Sequence, residues 1–152
     1  MRVSVGKSEV DVDVDGTRAA YAKLSVPGPE ECGCGYCRNW AAQRETTYPE
    51  GAKRLLESMG VKPGYETEVW EVPSRDGRHY YSGWYPFIGS VVAKSDERAE
   101  IGGRAEMGGM ELWVLEGLSY RVPWLPAEGV NEIHFCAIIG WTIEEPEPPG
   151  AP

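Results

Sequence analysis

The chain has 152 residues and a net charge of −9, with 15 lysine and arginine residues against 24 aspartate and glutamate residues. This length suits about one domain, and a hydrophobic fraction of 41% is ordinary for a globular protein with its own core. An acidic chain without a run of basic residues is a poor ligand for nucleic acid or for an anionic membrane surface. We therefore expect neither as a partner.

The first seven residues lack the apolar core of a signal peptide, and no apolar stretch reaches the roughly 18 residues that span a bilayer. These features predict a cytoplasmic protein, in which thiols stay reduced. In such a compartment, the four cysteines are expected to bind metal or to act in redox chemistry rather than to form structural disulfides.

The N-terminal region begins with a strand pattern. Valines alternate with aspartates from Glu9 to Asp15, which predicts a strand with one buried face, and Asp15-Gly16 predicts a turn after it. Residues 17–26 suit either a short helix or a returning strand. The Pro-Gly-Pro sequence at residues 27–29 ends this segment and opens a loop that carries three of the cysteines.

Helical spacing begins directly after the cysteine loop. Apolar and large side chains recur at i, i+3, i+4 and i+7 from Cys37. A second helix is predicted from about Pro49, and Gly60 stands where a helix-ending glycine is expected. The apolar stripe of this second helix comprises Ala52, Leu55, Leu56 and Met59.

The pattern of the following residues predicts β-structure. Residues 67–72 and 79–92 predict two strands around a turn at 75–78, and the glycines and proline of the second strand indicate bulges, an edge or a split. Residues 94–109 predict a long loop, and residues 110–115 and 118–122 predict a second hairpin.

The last predicted strand spans Glu132 to Thr142. Its alternation places Ile133 and Phe135 on one face and His134 and Cys136 on the other. These elements predict an α+β fold, with a mainly antiparallel sheet and one or two short helices after the cysteine cluster. We expect one domain over residues 1–143 and a disordered acidic, proline-rich tail over residues 144–152.

The most informative motif is the C-x-C-x-x-C run formed by Cys32, Cys34 and Cys37. The glycines between these cysteines allow a tight turn, and a helix start at Cys37 favours the thiolate form. Three soft ligands suit zinc, with an iron–sulfur cluster as the second choice. We expect zinc to tie this loop to the sheet.

A structural zinc ion needs a fourth ligand, which the run itself does not supply. His134 and Cys136 are the best candidates because they share one strand face, and His79 is the third. With only three protein ligands, the fourth position would hold water, as in catalytic zinc sites.

Two other functions remain open, beside the plain alternative of thiols without a function. A C-x-x-C at a helix start, here Cys34 and Cys37, is also typical of thiol–disulfide redox proteins. Six tryptophans and eight tyrosines against two phenylalanines are compatible with an exposed aromatic patch that binds a protein partner or a second copy. No catalytic constellation is recognisable, so we lean against an enzyme, and no feature identifies a substrate or a pathway.

The segment CGCGYCRNW resembles the start of a family of small, uncharacterised bacterial proteins with a C-x-C-x-x-C-R-N-aromatic motif. The matching residues begin at Cys32 and end at Trp40, and a later segment, Tyr81 to Tyr85, is similar as well. The resemblance covers about a quarter of the chain, which as a whole has the length of one domain. It implies a free-standing bacterial protein and no particular activity.

Overall fold

The computed structural model describes residues 1–72, 78–94 and 103–148. Within them the chain forms four helices and a mainly antiparallel sheet of seven strands, which confirms the predicted α+β fold. The strands are β1 (Arg2–Val5), β2 (Ser8–Val12), β3 (Glu68–Val72), β4 (His79–Ala93), β5 (Ala105–Met107), β6 (Met110–Leu115) and β7 (Val130–Ile139). The helices are α1 (Val14–Tyr21), α2 (Gly28–Cys32), α3 (Gly35–Thr47) and α4 (Glu50–Ser58). Among the described residues, no helix has the length and apolar character needed to cross a membrane.

The sheet is organised around β4, which at 15 residues is long enough to serve several partners. The strand order is β1-β2-β4-β7-β6-β5, and β3 pairs with β4 on the side away from β7. Residues 80–84 of β4 pair with β3, whereas residues 89–93 pair with β2. The first half of β4 is therefore central, and β3 forms a short edge beside it.

Helices α3 and α4 cover one face of this sheet and form the main core with it. Trp40 of α3 is fully buried and stacks on Tyr81 of β4 and Phe135 of β7, with ring centroids 5.4 and 5.3 Å apart. Leu56 and Met59 from the predicted stripe of α4 are also fully buried. The predicted alternation of the last strand is confirmed, because Ile133 and Phe135 belong to this core.

The N-terminal prediction was wrong at one boundary. The strand ends at Val12 instead of Asp15, and the predicted turn is the first turn of α1. Asp13 caps this helix by accepting a hydrogen bond from the Gly16 amide at 2.9 Å, and the Thr17 hydroxyl donates to the Asp13 carbonyl at 2.7 Å. Asp13, a good N-cap residue, thus starts a helix even though the alternation of valine and aspartate continues through Val14.

The predicted second hairpin was also wrong in its pairing. Strand β6 pairs with β5 and β7, and residues 118–122 form no strand. Strand β5 lies inside the predicted loop, joined to β6 by Gly108 and Gly109, whose φ angles of 56° and 89° form a tight turn. The predicted β3–β4 pairing is confirmed, while most of its turn lies outside the described residues.

The residues after β7 have no regular secondary structure as far as residue 148. Part of the predicted tail is in contact with the rest of the protein, since Glu145 pairs with Arg38 and Glu147 pairs with His79. The extent of the domain and the disorder of the tail stay predictions, and residues 149–152 lie outside the described part of the chain.

Gly83 lies under the aromatic core, and replacing it with alanine is expected to lower the free energy of unfolding by about 1–3 kcal/mol through overpacking. An added Cβ would lie 2.5 Å from Phe135 Cζ and 2.7 Å from the Glu68 carbonyl oxygen. Urea denaturation measures the effect. Gly140→Ala is the control, because its Cβ would meet nothing within 4 Å. Equal stability of the two variants would contradict this account of β4.

Candidate metal centre

The three cysteines of the C-x-C-x-x-C run lie at the junction of two helices. Cys32 ends α2, Cys34 is the N-cap of α3, and Cys37 lies in the first turn of α3. Gly33 connects them in the left-handed conformation, with φ at 61° and ψ at 14°. This sharp turn between two helices brings three side chains that are close in sequence towards one point.

The three sulfur atoms all lie within 4.8 Å of one another, and each cysteine is free. Two sulfurs bound tetrahedrally to one zinc ion at about 2.3 Å are roughly 3.8 Å apart, so small side-chain rotations bring the three into ligating distance. Cys37 is buried, at 5% exposed, whereas Cys32 and Cys34 are exposed. The cluster therefore has one buried and two accessible thiols.

The surroundings differentiate these thiols. The backbone of Cys34 lowers the pKa of the exposed Cys32 thiol through a hydrogen bond, and the neighbouring thiols act in the same direction. Burial raises the pKa of Cys37 well above its ordinary range, and the hydrogen bonds with Cys34 and Cys32 raise it further. Burial therefore opposes ionisation of Cys37 by raising its pKa, whereas the surroundings of Cys32 favour ionisation by lowering its pKa.

This difference predicts an order of alkylation in reduced, metal-free protein. Cys32 and Cys34 are expected to react with iodoacetamide at least about tenfold faster than Cys37, because the reactive species is an accessible thiolate. Peptide mass spectrometry over a time course measures the three rates. Cys136 is the internal control for a half-buried thiol, whose pKa is raised by burial. A Cys37 rate equal to that of Cys32 would contradict the arrangement.

A buried carboxylate, Glu66, fixes both helices that carry the cysteines. It accepts hydrogen bonds from Trp40 Nε1 and the Tyr48 hydroxyl at 3.1 and 3.0 Å, and Arg44 Nη2 lies 2.9 Å from its Oε2. The main-chain carbonyl oxygen of Glu66 also accepts a hydrogen bond, at 2.9 Å, from the amide of Gly28 at the start of α2. Glu66 could not be recognised from the sequence, because nothing local distinguishes it from a solvated loop glutamate.

The C-terminal segment, residues 140–148, crosses the start of α3. The buried Asn39 donates to the Gly140 carbonyl at 3.0 Å and accepts from the Thr142 amide at 2.9 Å. Arg38 donates both to the Gly33 carbonyl within the cysteine loop and to Glu145. Trp141 packs edge-on against Tyr36, with ring centroids 6.0 Å apart. The loop is thus supported from the distant end of the chain.

The structure does not bring His134 or Cys136 to the three thiols. Phe135 points towards α3, so its neighbours His134 and Cys136 point to the opposite face of the sheet. There, His134 Nε2 lies 2.6 Å from Glu132 Oε2, and its ring contacts Trp70, Trp84 and Trp113. Across the described residues, the group that can hold a metal contains only the three cysteines of the run.

His79, the third predicted candidate, is likewise fully engaged elsewhere. Its ring is buried and lies between two carboxylates, with Nδ1 2.7 Å from Glu71 Oε1 and Nε2 2.6 Å from Glu147 Oε1. Both nitrogens are therefore occupied by partners within the protein, and neither is directed to a shared metal.

The sheet face away from the helices carries several exposed apolar side chains. Val72, Tyr80 and Ile138 are directly opposite one another across β3, β4 and β7, and are 51%, 36% and 46% exposed. Trp70, 39% exposed, lies in the next row. The protein partner or second copy that the aromatic composition suggested stays a prediction.

The described chain is an α+β protein with a three-cysteine group compatible with metal binding. No family model matches the sequence, and neither a curated protein nor a solved structure is similar to it. The resemblance of the cysteine segment to a bacterial family stays a prediction, and the site must be interpreted from its own chemistry.

Proposed function

We propose that this protein binds one zinc ion through Cys32, Cys34 and Cys37, and that the ion stabilises the junction of α2 and α3. The observation that carries the proposal is the convergence of the three sulfur atoms within 4.8 Å, without a disulfide. Because a preformed site rarely exists in the unfolded chain, the binding energy would contribute directly to folding.

The donor set favours zinc over the other metals. Hard cations such as Mg²⁺ and Ca²⁺ prefer oxygen ligands, whereas thiolates suit zinc and iron–sulfur clusters. Iron–sulfur clusters generally take four cysteines, and the fourth cysteine of this chain, Cys136, lies on the other face of the sheet. Zinc, which accepts three protein ligands and one further ligand, fits the group better.

Elemental analysis of protein purified under reducing conditions tests the proposal. We expect about one zinc per chain, the stoichiometry of a single tetrahedral site. Cys34→Ser should lose the metal, while Cys136→Ser, the matched control outside the cluster, should keep it. Reduced protein that contains no zinc and takes up none when zinc is supplied would overturn the proposal. Iron with visible charge-transfer absorption would point to a cluster instead.

A thiol–disulfide redox function is the second candidate, and the position of Cys34 favours it. The Cys34 sulfur accepts a hydrogen bond from the Cys37 amide at 3.5 Å, at the N-terminus of a helix. Oxidised glutathione, added to metal-free and zinc-loaded protein, separates the two functions. A reversible Cys34–Cys37 disulfide that forms at the same rate in both samples would favour redox chemistry over metal binding.

A further inference from the structure

A cleft of about 370 Å³ opens beside the cysteine cluster. Its walls come from α2, the start of α3, the residues leading into β3, and the loop before β7. Two of the three cluster cysteines, Cys32 and Cys37, line it. Cavities of this size hold small molecules, so the cleft is large enough for a ligand that reaches the sulfur atoms.

A zinc ion held by three cysteines has one coordination position left. Structural zinc sites fill all four positions with protein ligands, whereas sites that act on exogenous ligands keep one open. Within the described ranges, no histidine, aspartate or glutamate joins the three sulfur atoms as a fourth ligand. Since Cys32 and Cys37 line the cleft, a molecule bound there would lie beside the cluster and could supply the missing ligand.

We propose that the cleft binds a small, positively charged thiol, an aminothiol, whose sulfur occupies the fourth position of the zinc ion. This inference rests on the proposed zinc site. In the binding step, the S–H bond of the ligand breaks and its proton passes to solvent. A sulfur lone pair forms the bond to zinc as a water molecule leaves, and nothing is oxidised or reduced.

The sulfur preference follows from the donor set. Three thiolates make the ion a soft centre, and soft centres prefer another sulfur ligand to an oxygen ligand. A thiol also enters as a neutral group and ionises only on binding. It therefore avoids the initial repulsion that a carboxylate or a phosphate would meet at a thiolate cluster.

The charge preference follows from the walls. Three thiolates around a dication leave one net negative charge, and Glu31 and Glu68 add two more carboxylates to the cleft. Glu68 lies beside Tyr120, which also lines the cleft, and its Oε2 accepts a hydrogen bond from Trp84 Nε1 at 3.3 Å, so its carboxylate is held on the Trp84 side of β3. Among the described lining residues none is basic, so an ammonium group is favoured and an anionic group is disfavoured.

Cobalt substitution tests the inference with a spectroscopic readout. Cobalt-loaded protein is titrated with cysteamine, 2-mercaptoethanol and 3-mercaptopropionate, which carry a positive, a neutral and a negative group. We expect saturable changes in the sulfur-to-cobalt and d–d absorption bands. Cysteamine should bind at least about tenfold more tightly than 3-mercaptopropionate, because the first makes a favourable and the second an unfavourable charge contact with Glu31 and Glu68.

The three thiols differ in their intrinsic affinity for cobalt. Measuring the same thiols on the wild type and on a variant cancels this difference, so that only the effect of the cleft remains. Glu68→Gln should reduce the cysteamine preference by about threefold or more, because one carboxylate of the wall is neutralised. Glu9→Gln, a change at an exposed carboxylate of β2 outside the cleft, should leave the preference unchanged. Both variants must bind cobalt as the wild type does, since neither residue belongs to the cysteine group.

The outcomes separate the two proposals. Protein that binds no cobalt overturns the zinc site and the thiol ligand together. Protein that binds cobalt but whose spectrum is changed by none of the three thiols overturns the ligand and leaves the zinc site standing. Equal preferences in the wild type and in Glu68→Gln, or tighter binding of 3-mercaptopropionate, overturn the aminothiol assignment.

Discussion

Cys37→Ser is expected to weaken zinc binding at least about a hundredfold, because loss of a ligand costs more than the 10–100-fold loss seen for residues that only orient one. In the wild type, zinc at about 100 times its dissociation constant should raise the free energy of unfolding by about 2.7 kcal/mol. The variant should show almost none of this stabilisation. Competition with a chromophoric chelator gives the affinity, and urea denaturation with and without zinc gives the stability.

Cys136→Ser is the matched control for this variant. It removes a half-buried thiol of the same chemistry from β7, away from the cluster, so zinc affinity should be unchanged. If Cys37→Ser kept the affinity of the wild type, the three-cysteine site would be wrong. If Cys136→Ser lost it, Cys136 would have to approach the cluster in solution, against its position on the other face of the sheet.

Trp40→Ala is expected to lower the free energy of unfolding by about 3–5 kcal/mol, the usual cost of removing a buried aromatic side chain. Trp40 is fully buried and stacks on both Tyr81 and Phe135, and it donates a hydrogen bond to Glu66. Its loss leaves a cavity and removes one donor from a buried carboxylate. Zinc binding should weaken as well, since Trp40 anchors the helix that carries Cys37.

Trp70→Ala is the control for the tryptophan prediction, because Trp70 is 39% exposed and lies outside the core that contains Trp40. It should cost about 1 kcal/mol or less, as surface substitutions usually do. Urea denaturation of both variants, monitored by circular dichroism, gives the difference. Similar losses for Trp40→Ala and Trp70→Ala would show that the core does not lie where the helices meet the sheet.

The cysteine cluster was predictable because its geometry is local. Cys32 and Cys37 are five positions apart, and the glycine between Cys32 and Cys34 sets the turn that joins two helices. Local backbone preferences therefore place the three cysteines at one turn, which Glu66 and the C-terminal segment then support. The start of α3 was predictable for the same reason, since Cys37 and Trp40 fall on one helical face.

The fourth ligand was not predictable, because it depends on which face of a distant strand meets the helices. The alternation of β7 correctly separated Phe135 from His134 and Cys136. It could not show that the Phe135 face is the one that packs on α3. Residues that act over long sequence distances, such as Glu66 beneath Trp40, carry no local signal and emerge only from the tertiary contacts.

The position of β7 has a consequence for how the protein is made. This strand lies between β4 and β6, yet it is the last of the described strands to leave the ribosome. The sheet cannot close, and Trp40 cannot stack on Phe135, until β7 has been synthesised. Until then Trp40, which anchors the helix that carries Cys37, lacks one of the two rings on which it stacks, so the support of the cluster is completed only late in synthesis.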